Sequence, residues 1–215
     1  MINQKIAIIG LGNIGQAIAA NLSKSSRSYI VADRNIKKAE ELALNWGKLV
    51  EVEPISNAIK SADLLILAIP FQEISIFLAR YASDLEDKII VDPSNAIAPD
   101  ENGGFKKIIE ASKSAGEINA GALPKNAKLA KALGTLGADS LLNAAYQVPE
   151  QAVLFYANDD ITINPIIEGV INDIGFKALR IGDLSQSSRI EVFGDLHEFG
   201  ALGKPVSIAE AKQKI

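Results

Sequence analysis

The chain of 215 residues contains no cysteine, and this absence excludes disulfide bonds, thiolate catalysis and thiolate metal sites. It has one histidine, His197, so a His-rich zinc site is excluded and a Ser-His-Asp catalytic arrangement is disfavoured. We therefore expect a protein that holds no metal ion of its own.

Long hydrophobic runs are also lacking. The longest apolar stretch, residues 64–71, has eight residues and includes Pro70, whereas a membrane-spanning helix needs about 20 apolar residues. The start of the chain, residues 1–4, is short and polar, and the first apolar run is too brief for a signal peptide. We expect a cytoplasmic protein without a membrane partner.

An excess of positive charge is the third missing feature. The chain has 22 Lys and Arg against 26 Asp and Glu, for a formal net charge of -4. Because the basic footprint of nucleic-acid binding is absent, we expect a small-molecule partner and no nucleic acid. Hydrophobic residues make up 48% and charged residues 22%, which is an ordinary globular balance.

Strands and helices alternate through about the first 95 residues. Apolar, β-branched runs predict the strands, and apolar residues at helical spacing predict the helices between them. This alternation is typical of a Rossmann-type, doubly wound α/β fold, with a mainly parallel sheet and helices on both faces. The predicted strands cover residues 5–9, 29–32, 49–52, 64–69 and 88–91.

The second half of the chain is less regular. We predict a dinucleotide-binding core in residues 1–95 and a smaller α/β extension in residues 96–215, which completes the sheet and the substrate pocket within one compact domain. The predicted elements of the extension are a loop over 96–104, a helix over 105–114, strands over 128–133 and 152–156, a helix over 164–174, a strand over 178–181 and a helix over 189–196.

A glycine motif follows the first predicted strand and opens the first predicted helix, which is the context that a dinucleotide fingerprint requires. Gly10 permits a tight turn, Gly12 lets the backbone approach a pyrophosphate, and Gly15 lets the helix pack closely on the strand. The amides and the dipole of the helix N-terminus favour the phosphates. The predicted cofactor-binding segment is Gly10, Leu11, Gly12, Asn13, Ile14 and Gly15.

Residues after the second strand leave the choice between NAD and NADP open. Asp33 can accept hydrogen bonds from the ribose hydroxyls of NAD and would repel a 2′-phosphate. Arg34 and Lys38 could instead hold that phosphate, or Arg34 could stack on adenine. All three are candidate cofactor-binding residues.

Two further strand ends contribute candidates, because ligands of open parallel sheets bind outside the carboxyl ends of the strands. The main chain of Ala68, Ile69 and Pro70 could line the ribose and nicotinamide, and Asn95 could hydrogen-bond the nicotinamide end. The structural alternatives are a strand stop at Pro70 and an Asx turn at Asn95.

These motifs resemble the NADP oxidoreductases that act on coenzyme F-420, a family also similar to the N-terminal domain of pyrroline-5-carboxylate reductase and to the reductase domain of the Steap metalloreductases. Nearly the whole chain takes part in the resemblance. The motifs lie at residues 10–15, 62–63, 68–70, 92–95, 122–124, 131–136, 156–160, 175–176, 182–184 and 189–191.

The resemblance implies direct hydride exchange between NADP or NAD and a second flat redox ring, either F-420 or another flavin. Such chemistry demands alignment and a dry cleft rather than a strong acid or base, so no catalytic residue is assigned. The implied substrate-binding residues are Phe71, Leu123, Pro124 and Leu184.

The chain departs from the family pattern at three places, one of which is an added residue between Leu184 and Arg189 that bears on deazaflavin binding. Asp33 precedes Arg34 where the family has a small polar residue, and Leu133-Gly134 stands where the family has Phe-Asn. The alternative to an enzyme is a non-catalytic NAD(P)H-binding or sensing module, since no strong catalytic residue is visible.

The resemblance also implies a homodimer, because members of this family often pair. Val192, Phe193 and Phe199 are apolar positions near the C-terminus that would support the contact. The lysines 125, 128 and 131 are expected on a solvated face.

Overall fold

The computed structural model describes residues 4–215, which form one eight-stranded sheet and a separate two-stranded hairpin. The fold class predicted from the alternating pattern is confirmed. The strands are β1 (Ile6–Ile9), β2 (Tyr29–Ala32), β3 (Val50–Val52), β4 (Leu64–Leu67), β5 (Ile89–Asp92), β6 (Ile97–Pro99), β7 (Phe105–Lys107), β8 (Lys128–Lys131), β9 (Val153–Asn158) and β10 (Lys177–Gly182).

Helices connect most of the strands, and two 3-10 segments, Ile161–Ile163 and Leu184–Ile190, lie in the second half. The helices in the described part of the chain are α1 (Asn13–Leu22), α2 (Ile36–Ala43), α3 (Ile55–Ser61), α4 (Phe71–Arg80), α5 (Ala82–Leu85), α6 (Ala115–Ala120), α7 (Ala138–Asn143), α8 (Asn164–Asp173) and α9 (Ile208–Lys212).

The large sheet has the order β10-β9-β8-β5-β4-β1-β2-β3. The strands run parallel from β3 to β8, then β9 pairs antiparallel with β8, and β10 follows β9 in parallel. The strand order reverses at β1, which has β2 on one side and β4 on the other. A crevice for a ligand is expected at this switch point, outside the carboxyl ends of β1 and β4.

Alternate residues of the buried strands supply two hydrophobic cores, because successive side chains of a strand point to opposite faces. Ile6 and Ile8 pack with α1, α2, α7 and α8, while Ala7 and Ile9 pack with α3 and α4. A third core joins β9 to the C-terminal segment that includes α9. The sheet crosses the predicted boundary at residue 95, because β5 pairs with β8; the two-part division itself stays a prediction.

The loop over 96–104 and the helix over 105–114 are wrong, since β6 and β7 form an antiparallel hairpin there. A compact turn makes the hairpin: the Asp100 carboxylate accepts hydrogen bonds from the amides of Asn102 and Gly104, and Gly103 has a φ of +79°. The next helix starts only after Ser114, whose hydroxyl caps it at the amide of Glu117.

The helix over 189–196 is also wrong. A 3-10 segment ends at Ile190, Glu191 is extended, and turns follow. Gly194 folds back tightly, because a Cβ there would lie 2.4 Å from the carbonyl oxygen of Ser188. The Glu191 side chain is held by another part of the molecule, which local periodicity does not encode.

Candidate dinucleotide site

The loop after β1 is shaped by close backbone contacts. Gly10 has a φ of +93°, and a Cβ on it would lie 2.6 Å from the carbonyl oxygen of Ala68. A Cβ on Gly15 would lie 2.0 Å from the carbonyl oxygen of Gly10. Only glycine fits at these two positions, so the backbone of the loop sits directly against the end of β4 and under the start of α1.

Gly12 differs from its two neighbours in the motif. A Cβ on Gly12 would meet no heavy atom within 4 Å, and Gly12 is the residue before the first turn of α1. No side chain caps this helix, and its first turn carries no acidic residue. The positive end of the α1 dipole therefore faces open space, which is the arrangement that binds a phosphate.

Asp33 holds the glycine loop through its carboxylate. One carboxylate oxygen accepts a hydrogen bond of 2.8 Å from the amide of Leu11, and the other accepts one of 2.9 Å from the amide of Asn35. The ammonium of Lys38 donates to the carbonyl oxygen of Leu11 at 2.7 Å. Arg34 is exposed beside them. The structure thus brings Asp33 and Lys38 to the glycine loop, and Arg34 is next to Asp33 in the chain.

The predicted residues at the end of β4 lie between the glycine loop and one of the hydrophobic cores. Ala68 and Ile69 touch the space around Gly10, and Pro70 is exposed as the residue before α4. Ile69 packs with Leu123 and Leu184 against one hydrophobic core.

The substrate candidates are therefore only partly brought together. Leu184 is 4% exposed and belongs to that core, Leu123 and Pro124 are half-buried, and Phe71 is half-buried at the start of α4. Leu123 and Leu184 share one apolar wall with Ile69, whereas Phe71 is not part of the core cluster.

Asn95 is tied to two distant segments. Its amide nitrogen donates to the carbonyl oxygen of Gly134 at 3.2 Å, and its amide oxygen accepts from the amide of Val192 at 2.7 Å. The side chain thus braces the loop after β5. Its assignment to the nicotinamide stays a prediction.

A buried ion pair next to this loop was missed by sequence reasoning. Lys131 and Asp92 stand 3.1 Å apart at the ends of β8 and β5, with side chains only 3% and 0% exposed. Asn119 donates to the same carboxylate oxygen, and the Lys131 ammonium also donates to the carbonyl oxygen of Ser94. The expectation of a solvated face at Lys131 is therefore wrong, because its side chain packs against α6, where a Cβ on Gly116 would lie 3.4 Å from its Cδ atom, whereas Lys125 is exposed and Lys128 half-buried.

Two further buried polar side chains stabilise the same edge. The Glu191 carboxylate is 4% exposed and accepts hydrogen bonds from the amides of Ala115 and Gly116, both at 3.0 Å. His197 is 1% exposed. Its Nδ1 accepts from the amide of Phe199, so Nε2 carries the proton and donates to the carbonyl oxygen of Gly134 at 2.9 Å. Burial lowers the pKa of His197 to about 4, against the opposing effect of that hydrogen bond.

Within the described part of the chain, no three His, Asp or Glu side chains are grouped in a way that could hold a metal ion. Nor does any helix among residues 4–215 combine the length and the apolar character needed to cross a membrane.

A glycine turn at the switch point of a parallel sheet, followed by an uncapped helix N-terminus, defines a dinucleotide-binding protein of the Rossmann class. Residues 5–96 match the model of the coenzyme F-420-dependent NADP oxidoreductase family. The resemblance drawn from the motifs is confirmed, and so is the prediction of an NAD(P)-dependent oxidoreductase.

One relative is matched along most of its length. The chain is 26% identical over 198 residues to the F-420-dependent NADP reductase of Methanothermobacter thermautotrophicus, covering 87% of this chain and 84% of that protein. Other relatives are matched over less than half of this chain, which spans about a quarter of their length.

Two solved structures share the fold from end to end. A hypothetical protein of Sinorhizobium meliloti is 25% identical with a TM-score of 0.82, and the match covers 94% of this chain and 95% of that one. A protein described as an F-420-dependent NADP reductase from an Arthrobacter species is 20% identical with a TM-score of 0.72, covering 86% and 87%. The irregular second half of this chain is therefore part of a recurring fold.

Proposed function

We propose that this protein transfers a hydride between NADP and a flavin or deazaflavin ring, with coenzyme F-420 as the first acceptor to test. The observation that carries the proposal is the likeness to an F-420-dependent NADP reductase over 87% of this chain and 84% of that protein. A likeness confined to the dinucleotide-binding segment would, by contrast, support nucleotide binding alone.

The residues of the crevice fit a dinucleotide. The pyrophosphate would lie on the open side of Gly12, against the free amides of α1. Arg34, Lys38 and Asp33 would then face the adenosine end, and Ala68, Ile69 and Pro70 the nicotinamide end. Asn13 and Ile14 would contribute backbone amides of the first turn.

A nicotinamide held there would supply a hydride; with that hydride and one proton from solvent, the acceptor would gain two electrons and two protons in total while NADPH is oxidised to NADP. The apolar wall of Ile69, Leu123 and Leu184 would exclude water from the ring stack. Phe71 and Pro124 would border the acceptor. The protein would align the two rings, and none of its side chains would take part in the bonds that form or break.

We propose NADP over NAD, although Asp33 carries a negative charge beside the ribose. Both of its oxygens already accept backbone hydrogen bonds that shape the loop. That role accounts for the carboxylate without a contact to the ribose hydroxyls. Arg34 and Lys38 leave positive charge on the same side for a 2′-phosphate.

The second candidate function is a non-catalytic NAD(P)H sensor. Its support is that the charged groups buried at the carboxyl edge, Lys131, Asp92 and Glu191, are used in internal pairs and caps. A sensor would bind NADPH tightly and leave every acceptor unreduced.

The test is a titration with NADPH and NADH, followed by oxidation with F-420, FMN and FAD, with absorbance at 340 nm as the readout. We expect NADPH oxidation with at least one acceptor. Gly12→Ala places a methyl group in open space, so it should fold normally and bind NADPH at least about tenfold more weakly, which is about 1.4 kcal/mol.

Gly169→Ala is the matched control, since it adds the same methyl group in α8, where the nearest atom is 4.0 Å away. Equal NADPH binding by wild type and Gly12→Ala would contradict the proposed phosphate position. Binding without oxidation by any acceptor would favour the sensor.

We further propose that the protein acts as a homodimer in the cytoplasm. Phe193 is 53% exposed, which supports an apolar contact, whereas Val192 is only 8% exposed and Phe199 borders a separate cavity. Light scattering at working concentration should give twice the mass of one chain, and the mass of one chain would contradict the dimer.

A further inference from the structure

A cavity of about 800 Å³ lies apart from the proposed acceptor site, on the sheet face covered by α1, α2 and α7. It starts beside the glycine loop at Asn13 and runs along α1 to Ala20. The hairpin residue Phe105 lies on its border with Phe199. The cavity is therefore large enough for a small organic molecule, and none of the predicted acceptor residues lines it.

Large apolar and aromatic side chains line part of the cavity, beside polar side chains such as Asn13, Gln16 and Asn45. Trp46 is 7% exposed at its base, while Phe105, Phe199 and Leu142 are 50%, 53% and 39% exposed around it. The Phe199 ring is held in place against α7, because a Cβ on Gly137 would lie 2.7 Å from its Cζ atom. Large apolar side chains of a folded protein are mostly covered, so three of them around one cavity indicate a binding surface.

The charge of the cavity is of one sign. Asp139 and Glu198 line it, and its described lining residues include no lysine, arginine or histidine. The Glu198 carboxylate is fixed by the amide of Gly137 at 2.6 Å and by the hydroxyl of Ser140. An anionic ligand would be repelled here, whereas a cation would gain from both carboxylates and from the aromatic faces.

We propose that this cavity binds an organic cation, a small molecule with an aromatic or other apolar body and an amine or quaternary ammonium charge. Flavin nucleotides carry phosphate groups, so the same chemistry separates this site from the acceptor site. The proposal concerns binding alone and does not depend on which acceptor the crevice takes.

Trp46 makes the site directly observable, because it is the only tryptophan of the chain. The full chain, free of nucleotide, is titrated with benzyltrimethylammonium, benzyl alcohol and benzoate at constant ionic strength, and Trp46 emission is recorded. We expect a saturable change with benzyltrimethylammonium and a dissociation constant at least about tenfold lower than that of benzoate.

Two variants with the same substitution test the location. Leu142→Lys places a positive charge at the cavity and should weaken the cation at least about fivefold. Val148→Lys is the control, because Val148 is 89% exposed and does not line the cavity. Asp139→Asn should weaken the cation and leave benzyl alcohol unchanged. Thermal melting of each variant shows that it remains folded.

Three results would overturn the proposal. The first is binding of benzoate as tight as that of the cation, and the second is an unchanged cation titration in Leu142→Lys. The third is a wild-type dimer that becomes a monomer in Leu142→Lys and shows no saturable emission change, since the cavity would then be covered by a second copy of the chain.

Discussion

The loop after β1 and the loops after β5 and β8 meet at one edge of the sheet and are built in different ways. Backbone contacts and the missing side chains of Gly10 and Gly15 shape the first loop. Buried charged and polar side chains hold the other two, with Lys131 and His197 at their centre. A loop shaped by backbone leaves its amides free for a ligand, whereas a loop held by buried side chains serves as a frame.

The largest effect on stability is expected when the frame, meaning the buried polar side chains that hold the loops after β5 and β8, loses a charge. Lys131→Met leaves the Asp92 carboxylate buried without its cation, so the free energy of unfolding should fall by about 3–5 kcal/mol. Lys128→Met is the control on the same strand, because the Lys128–Asp160 pair is more than one third exposed and screened by solvent, so its loss should change the stability much less. Urea unfolding measures both changes.

The double variant Asp92→Asn/Lys131→Met removes both charges and should regain part of the lost stability. If Lys131→Met and Lys128→Met proved equally mild, the buried pair would not be part of the frame.

A titration of His197 probes the other end of the frame. The pKa of about 4 in the folded chain lies below the usual value of 6.5, so the unfolded chain binds a proton first as the pH falls. The free energy of unfolding should therefore decrease between pH 6.5 and pH 4, by up to about 3 kcal/mol.

His197→Gln should show a smaller decrease over the same pH range, and urea unfolding at several pH values measures the difference. His197 is the only histidine, so its NMR signal is unambiguous. A midpoint near 6.5 in the folded protein would contradict its burial in a neutral form.

The glycines of the first loop should differ in how much their replacement by alanine destabilises the fold. Gly10→Ala forces a Cβ to within 2.6 Å of the Ala68 carbonyl oxygen at a φ of +93°, so it should destabilise the fold by about 1–3 kcal/mol. Gly12→Ala should leave the melting temperature nearly unchanged. Equal melting temperatures for the two variants would show that the loop is not tightly packed.

The smallest effect is expected for cofactor choice. Asp33→Asn keeps an oxygen for the amide of Leu11 and removes the negative charge, so the ratio of NADPH to NADH affinity should rise about tenfold. Glu40→Gln is a control on the exposed side of α2. An unchanged ratio would mean that Asp33 acts on the loop alone.

Much of the first half could be predicted from local patterns. The strand over 29–32 coincides with β2, and the helix opened at Asn13 is α1. The second half was harder, because its apolar periodicity is weak and its turns depend on distant partners. The failure at 105–114 is an example: helix-forming residues there are overruled by the Asp100 turn and by pairing with β6.

The candidate site divides in the same way. The glycine motif and Asp33 lie close in sequence and carry their own signal. The buried polar frame carries none, because Lys131 and Asp92 are 39 positions apart, and Asn95 and Val192 are 97 apart. The only local signal at Lys131 is that it ends an apolar strand, where a lysine is equally typical of a solvated edge.

The sequence by itself determined the parallel α/β core, the dinucleotide loop and the absence of thiol chemistry, because each depends on local spacing or on composition. The tertiary structure alone decided the reversal of the sheet at β9, the burial of the Lys131–Asp92 pair and the acidic, aromatic cavity beside α1. Those features join residues far apart in the chain, and their free energy comes from desolvation and packing that exist only once the chain has folded.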